Sequence, residues 1–313
     1  MNVFLPALLA VLILLAVAAA GFILKKREMV SEDCIPGLSK VMLYVCQPCL
    51  AVYTFSEVEF SLELLKNLGI FALILIAVNA IMLGGAYLVL KRRHDDVVYR
   101  IITIATTFAN CAFFGIPIIE AVMPDVASEV LIYTTVYGFI MNVMAWTIGC
   151  FIISRDSKYI TVGKIFLNPA AIGTALAFIV FLTGITFPTS LGSMINTVGK
   201  MVSPLSMLIM GMRLATMELR KMFSDYRLYL TIAAKQFLMP AVAFLFAFFL
   251  SGVDLHLRQT LFITCACPVA SIVLNFAEIV GTGQKEAANT VLLSTALSVI
   301  TLPLMMLLFP LIA

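Results

Sequence analysis

The sequence predicts an all-α membrane protein with ten transmembrane helices arranged as two inverted five-helix repeats. Apolar residues make up 62% of the 313-residue chain and charged residues 12%, whereas soluble domains contain about 45 to 50% and about 25%. Apolar runs long enough to cross a bilayer recur along the whole chain, with short polar breaks between them. The Lys and Arg residues collect in every second break. No segment resembles a water-soluble domain.

A transmembrane helix needs about 20 apolar residues, and this length divides the chain into ten predicted spans. The spans cover residues 3–24, 36–55, 67–90, 98–122, 130–153, 168–187, 193–214, 228–250, 257–280 and 288–311. No basic residue precedes the first span, and Lys25, Lys26 and Arg27 follow it. We therefore expect a retained first helix and not a cleaved signal peptide.

The basic residues orient these spans, because cytoplasmic loops of membrane proteins are enriched in Lys and Arg. Fifteen of the 20 basic residues lie in or beside the loops after the odd-numbered spans: Lys25, Lys26, Arg27, Lys91, Arg92, Arg93, Arg100, Arg155, Lys158, Lys164, Arg213, Arg220, Lys221, Arg227 and Lys285. Only Lys66, Lys200 and Arg258 lie in the alternate loops. The alternation predicts ten spans with both termini outside the cytoplasm. Lys40 and Lys235 lie inside spans, and we interpret each as a lysine that extends its amine to the cytoplasmic interface.

Five spans on either side of a basic loop predict two repeats, residues 1–155 and 163–313. Because each repeat has an odd number of spans, the second must enter the membrane in the opposite orientation. Prolines recur in matching spans: Pro48 and Pro204 are 156 residues apart in spans 2 and 7, and Pro117 and Pro268 are 151 apart in spans 4 and 9.

Spans 4 and 9 are predicted to be broken, because proline removes an amide donor and clashes with the preceding turn. The predicted break points are Gly115-Ile116-Pro117 and Cys267-Pro268-Val269. Such breaks leave free amides that lipid cannot satisfy. If the broken helices cross, two helix N-termini point at one place, each with about half a positive charge, which suits an anion such as a carboxylate.

Polar side chains near these breaks complete the predicted binding site for a small organic anion. The predicted substrate-binding residues are Asn110, Gly115, Ile116, Pro117, Pro268, Val269, Ser271 and Asn275, together with Asn142 of span 5 and Ser298 of span 10. The hydroxyl groups of spans 5 and 10 have an equally simple interpretation, as bonds to their own helix or to a neighbouring helix. Glu120 and Glu278 are the only acidic residues within spans. Each is a candidate for ion or proton coupling, or a water-facing group near the membrane surface.

The sequence contains no catalytic or cofactor-binding pattern. The balance of 20 basic and 17 acidic residues is too mild for a nucleic-acid-binding surface. The two histidines lie in loops on opposite sides and no Asp lies within a span, so hydrolytic mechanisms lack their groups. Cys46-Gln-Pro-Cys49 copies the letters of a redox motif, but it lies inside an apolar span. We therefore predict a protein that is not an enzyme and that uses no cofactor or metal.

Several of these segments together resemble the auxin efflux carrier family, the bacterial and plant relatives of the PIN-formed auxin carriers, within the bile-acid/sodium symporter-like fold. The resemblance covers essentially the whole chain. It rests on Gln47 to Leu50, Asn110 to Pro117, Asn168-Pro169, Pro204 to Gly211, and Pro268 through Ser294-Thr295 to Leu302-Pro303. Only about 14 residues separate spans 5 and 6, so the chain looks like a compact bacterial-type member without the regulatory loop of the long plant carriers.

This resemblance implies a scaffold domain of spans 1, 2, 6 and 7 and a transport domain of spans 3, 4, 5, 8, 9 and 10. Spans 4 and 9 would cross at the substrate site, and transport would proceed by elevator-type alternating access. Relatives carry auxins or small carboxylates such as malate and malonate, and they often form homodimers.

We therefore expect a secondary active transporter of a small organic anion, located in the cell membrane. Three alternatives remain open from the sequence. A sodium-coupled symporter of the bile-acid type would use Asn110, Ser271, Asn275 and Glu278 as cation ligands, because hard cations take several oxygen ligands. A proton-coupled carrier would use Glu120 or Glu278. A channel or a membrane receptor is the third alternative.

Overall fold

The computed structural model describes residues 3–217 and 225–312, and regular structure in this part of the chain is helical apart from one isolated β-bridge. Arg220 and Lys221, which contribute to the charge asymmetry, lie outside the described residues. The main helices, numbered in chain order, are α1 (Phe4–Lys26), α2 (Cys34–Ser56), α3 (Leu62–Leu90), α4 (Val97–Ala105), α5 (Cys111–Val122), α6 (Pro124–Ser154), α7 (Pro169–Thr183), α8 (Thr189–Lys200), α9 (Val202–Ala215), α10 (Tyr226–Phe249), α11 (Leu255–Ala266), α12 (Ile272–Val280) and α13 (Gln284–Met306).

Each of the ten predicted spans coincides with one of these helices or with a consecutive pair. Within the described residues, six helices are long and apolar enough to cross a membrane alone, namely α1, α2, α3, α6, α10 and α13. Spans 4, 7 and 9 are each divided between two shorter helices, and span 6 is the 15-residue α7. Large apolar side chains such as Leu73 and Val89 are 70% and 79% exposed, as lipid-facing residues are. The chain is therefore a multi-pass membrane protein.

Three prolines widen the helices that contain them. A π-helical turn ends two residues before each proline: Met42–Cys46 before Pro48, Cys111–Gly115 before Pro117, and Ala234–Leu238 before Pro240. Proline cannot donate a backbone hydrogen bond and its ring clashes with the carbonyl four residues earlier. The wider turn accommodates that carbonyl while the helix continues. A fourth π turn, Ala145–Gly149 in α6, has no proline beside it.

This effect corrects the predicted position of the first break. Pro117 lies inside α5, and α4 and α5 are separated by residues 106–110 instead. The prediction that span 4 is broken at Gly115-Ile116-Pro117 is therefore wrong. The break precedes these residues by about one helical turn or more. The second break occupies residues 267–271 and includes Pro268, as predicted.

The two breaks lie against each other in the interior of the protein. Ala109 and Val269 form an isolated antiparallel β-bridge. The backbone amide of Asn110 donates to the Pro268 carbonyl at 2.8 Å. The backbone amide of Ala270 donates to the Phe108 carbonyl at 2.9 Å. Each break therefore satisfies part of the backbone that the other one exposes, which lipid cannot do.

Helix α1 packs on α9 at backbone distance, because both helices carry glycine at the contact. A Cβ atom on Gly21 would lie 2.1 Å from the Leu208 carbonyl oxygen, and one on Gly211 would lie 1.8 Å from the Ala18 carbonyl oxygen. Small residues allow membrane helices to approach this closely. No larger side chain fits at either glycine without moving a helix.

Helix α2 contacts α7 and α8 in a similar way. A Cβ atom on Gly173 would lie 3.0 Å from the Pro48 backbone, and one on Gly199 would lie 2.8 Å from the Leu50 backbone. The helices of predicted spans 1, 2, 6 and 7 are thus joined by contacts in which glycine meets backbone.

Candidate functional site

Two helices begin beside the β-bridge. α5 starts at Cys111 and α12 starts at Ile272, each directly after its half of the bridge, and neither has a side-chain hydrogen bond capping its first turn. The positive ends of two helix dipoles therefore meet in the interior without the capping oxygen that helix N-termini usually have.

A cavity of about 170 Å³ lies at this junction. It is lined by the first residues of α5 and α12 and by parts of α2, α6 and α7. The lining residues are Leu43, Gln47, Ala109, Asn110, Cys111, Ala112, Phe113, Gly138, Met141, Asn142, Trp146, Asn168, Pro169, Ala170, Ala270, Ser271, Ile272 and Asn275. None of them carries a formal charge. We call this space the crossing cavity.

Three carboxamide groups on the wall of the crossing cavity have a buried atom without a hydrogen-bond partner. These atoms are Asn110 Nδ2, Asn142 Nδ2 and Gln47 Oε1. Asn110 is 3% exposed and Asn142 is 6% exposed. Buried polar groups are nearly always paired with protein or ordered water, so these side chains are candidates to bind a ligand or water inside the cavity.

The crossing cavity brings together four of the predicted site residues: Asn110, Asn142, Ser271 and Asn275. Asn110 and Ser271 are the last residues of the two breaks, whereas Asn142 lies in α6 and Asn275 in α12. The proximity of Asn142 to Asn110 is set by the packing of α6 against the start of α5, which sequence spacing does not reveal.

Three other predicted residues do not line the crossing cavity. Gly115 is buried against α11, where a Cβ atom on it would lie 3.2 Å from Cys267 Sγ. Ile116 and Pro117 line a second cavity of about 460 Å³ together with Glu120. This second cavity also contains Glu57 and Lys200, so two carboxyl groups and one lysine line it.

The remaining residues of the predicted site act through the backbone or through their own helix. The Pro268 carbonyl accepts the Asn110 amide, and Val269 forms the β-bridge. Ser298 is fully buried in α13 and donates to the Thr295 carbonyl at 2.6 Å. The Ser298 hydroxyl therefore bonds its own helix, which is the second of the two interpretations given in the sequence analysis.

Glu278 lies at the far end of α12 from the crossing and pairs with Arg213 of α9 at 2.6 Å. Both residues line a wide cleft of about 960 Å³, which also includes Glu32 and Lys285. The cleft shares Leu43, Trp146 and Asn275 with the crossing cavity. The crossing cavity therefore lies next to a cleft whose lining includes charged residues.

Lys235 is the most important residue that the sequence analysis misinterpreted. It is fully buried, and Nζ donates to the Cys265 and Cys267 carbonyls at 2.9 and 2.8 Å. The prediction that it extends to the membrane surface is wrong. Lys235 lies seven residues into its predicted span, about 10 Å deep at 1.5 Å per residue, and this depth was a usable signal.

Gln47 was part of the resemblance but was not predicted as a site residue. Its position directly before Pro48, at the end of a π turn, places its side chain in the crossing cavity. π turns are frequent at functional sites, but their presence is not readable from a single sequence.

Half-helices that meet around an interior cavity, within a multi-pass helical membrane protein, define the class of membrane transporters. A family model described as "Membrane transport protein" matches residues 6–306. The chain therefore belongs to this family, the auxin efflux carrier family. A search of curated proteins gives no match.

Proposed function

We propose that this protein is a secondary active transporter that carries a small organic anion through the crossing cavity. One observation carries the proposal. Two helix N-termini without a side-chain cap and the unpaired side-chain NH₂ groups of two Asn residues converge on a cavity that has no acidic lining residue. Helix N-termini and N–H donors favour negative charge. A carboxylate fits both kinds of donor at once.

The lining favours a substrate with one negative charge and an apolar part. No Lys or Arg lines the crossing cavity to balance a second charge, and burying an unbalanced charge is costly. Phe113, Met141 and Trp146 supply apolar parts of the wall. We therefore favour a small monocarboxylate, including auxin-like acids, over dicarboxylates such as malate and malonate.

We further propose that the protein is an elevator-type carrier in the cell membrane. Its ten spans would form two inverted repeats, and both termini would lie outside the cytoplasm. The glycine contacts among α1, α2, α7, α8 and α9 support a rigid scaffold of spans 1, 2, 6 and 7. The crossing cavity lies between this group and the broken helices. With that topology, the wide cleft at Lys285, which lies beside the crossing cavity, is on the cytoplasmic side.

The sodium-coupled alternative has less support. Its proposed acidic ligand, Glu278, is held by Arg213 outside the crossing cavity. The remaining proposed ligands are neutral, and a hard cation is usually bound by several oxygen atoms that include carboxylates.

Asn110 provides the test. Purified protein in proteoliposomes is assayed for uptake of radiolabelled monocarboxylates and dicarboxylates. Losing a hydrogen bond to a charged ligand costs about 1.5 to 3 kcal/mol, so Asn110→Ala should weaken the apparent affinity about ten- to a hundredfold. Asn110→Asp places a negative charge beside the substrate and should be worse than alanine at neutral pH, with partial recovery as the new acid protonates.

Asn196→Ala is the matched control, because Asn196 lines the second cavity. It should leave uptake unchanged. If Asn196→Ala weakens uptake while both Asn110 variants transport normally, the substrate binds in the second cavity and the proposal is wrong. Tighter cation binding by Asn110→Asp would favour the sodium-coupled alternative.

A further inference from the structure

The buried lysine of α10 has no role in the proposed binding of substrate. Lys235 is 0% exposed, and in the described residues no carboxylate lies within ion-pair distance of Nζ. Its hydrogen-bond partners are the carbonyl oxygens of Cys265 and Cys267, at 2.9 and 2.8 Å. An ionisable group buried in a membrane protein without an acidic partner is a functional candidate.

The two carbonyls belong to the end of α11, where the second break begins. The last carbonyls of a helix carry about half a negative charge and have no partner within the helix. The Pro268 carbonyl, the next one along the chain, accepts the Asn110 amide of the opposite break. Neighbouring carbonyls of this segment are therefore bound by two different groups, the Asn110 amide and Lys235 Nζ.

Converging backbone carbonyls at the end of a broken membrane helix are a set of ligands that suits a monovalent cation. In this protein an ammonium group that is covalently attached to α10 occupies that place. The neighbouring side chain strengthens the arrangement: Gln236 donates to the Ser294 carbonyl at 2.7 Å, and Ser294 Oγ accepts the Val269 amide at 3.1 Å. Lys235 therefore contacts the second break directly, and Gln236 binds Ser294, the residue that contacts the break at Val269.

Lys235 lies in the π turn Ala234–Leu238, which ends two residues before Pro240. Lys235 and Gln236, two successive polar residues of this turn, are both fully buried.

We propose that the Lys235 ammonium group is a tethered cation that replaces a dissociable monovalent cation at the second break, so that transport needs no sodium. This inference rests on the proposed transport of an anion through the crossing cavity. The fixed charge neutralises the carbonyl end of α11 and adds positive potential behind the site where the anion binds. A free cation would have to be bound and released in every cycle, whereas the lysine remains in place.

The test uses purified full-length protein and two variants. Lys235→Gln keeps N–H donors but removes the charge, and Lys235→Met removes both. Lys40→Gln is the matched control, because Lys40 also lies inside a predicted span but is exposed. Uptake of a monocarboxylate is measured in proteoliposomes with N-methylglucamine as the only cation, and then with Na⁺, Li⁺, K⁺ or ammonium. Melting temperature is measured in the same salts.

We expect wild-type uptake and wild-type melting to be the same in N-methylglucamine and in Na⁺. Removing a charged hydrogen-bonding group should lower uptake by Lys235→Met about tenfold or more in N-methylglucamine. Na⁺, Li⁺ or ammonium should restore uptake and raise the melting temperature of this variant, because a ligand that binds the folded state stabilises it. Lys235→Gln should behave in the same way, and Lys40→Gln should behave as the wild type.

Sodium dependence of wild-type uptake or melting overturns the proposal even if neither variant folds. It is also overturned if both variants match the wild type in N-methylglucamine, or if folded variants respond to no small cation. If the wild type shows no saturable anion uptake in any salt, the proposed function fails instead, and the melting measurements still decide whether Lys235 occupies a cation site.

Discussion

Two contacts between helices that are distant in sequence differ in what they bury. Where α1 meets α9, Gly21 and Gly211 bring backbone against backbone, and neither glycine lines any of the cavities described above. Where the two breaks meet, a β-bridge joins them. Beside the bridge lies a cavity whose wall includes Asn side chains with an unpaired NH₂ group.

This difference separates packing that holds the structure together from packing that is left incomplete for a ligand. Close approach of backbones gains dispersion energy and leaves no room for water or substrate. The crossing retains polar groups whose burial is costly unless a ligand pairs with them. Mutations at the two contacts should therefore affect different properties, and this separation can be tested.

The largest effect is expected at the glycine contact. In Gly211→Ala, the new Cβ atom would lie 1.8 Å from the Ala18 carbonyl oxygen, and relieving this clash requires α1 or α9 to move. Overpacking usually costs about 1 to 3 kcal/mol. We expect a loss of stability above about 3 kcal/mol here, because the new atom would meet backbone and not a flexible side chain. The measurement is the yield and melting temperature of detergent-purified protein. Gly69→Ala is the control, because no atom lies within 4 Å of a Cβ at that position; equal stability of the two variants would contradict the close contact.

A smaller and different effect is expected at the crossing. Asn142→Ala removes one unpaired donor from the cavity wall, so it should weaken the apparent affinity for the anion about tenfold. Its melting temperature without substrate should stay the same, since the lost group has no partner in the protein. Thr147→Ala is the control on the same helix, where the hydroxyl bonds its own helix at 2.7 Å. An unchanged affinity in Asn142→Ala would remove this residue from the binding site.

The smallest effect is expected at Pro117. Because Pro117 widens a turn inside α5 and does not line the crossing cavity, Pro117→Ala should change uptake by about twofold or less. Pro268→Ala, at the second break, is the comparison and should have the larger effect on uptake. If Pro117→Ala abolishes uptake while the protein remains folded, the π turn at the start of α5 is itself required for binding.

The features that followed from the sequence are those that depend on local composition. Apolar run length placed a helix at every predicted span, and Pro268 located the second break within its five residues. The side chains Asn110, Ser271 and Asn275 were predicted because they lie next to the breaks in sequence, and the structure places them on the wall of the crossing cavity. These signals are local, and the structure preserves them.

The features that were missed depend on tertiary packing. The first break is at residues 106–110 and not at Pro117, because a π turn accommodates that proline and the preceding extended segment is stabilised by pairing with Val269. The burial of Lys235 depends on two carbonyls that are 30 and 32 residues further along the chain. The depth of Lys235 in its apolar run indicates burial, but the sequence does not show which carbonyls its amine binds.

The β-bridge between the breaks also constrains the order in which the protein is made. Val269 is synthesised 160 residues after Ala109, which takes about 10 to 30 s at usual rates of translation. During that time, the backbone of the first break is without its final hydrogen-bond partners and must be sheltered by the insertion machinery or by water. We expect nascent chains halted before residue 267 to be degraded by membrane quality control, whereas chains halted well beyond residue 271 should survive, and pulse-labelling of truncated chains would measure the difference.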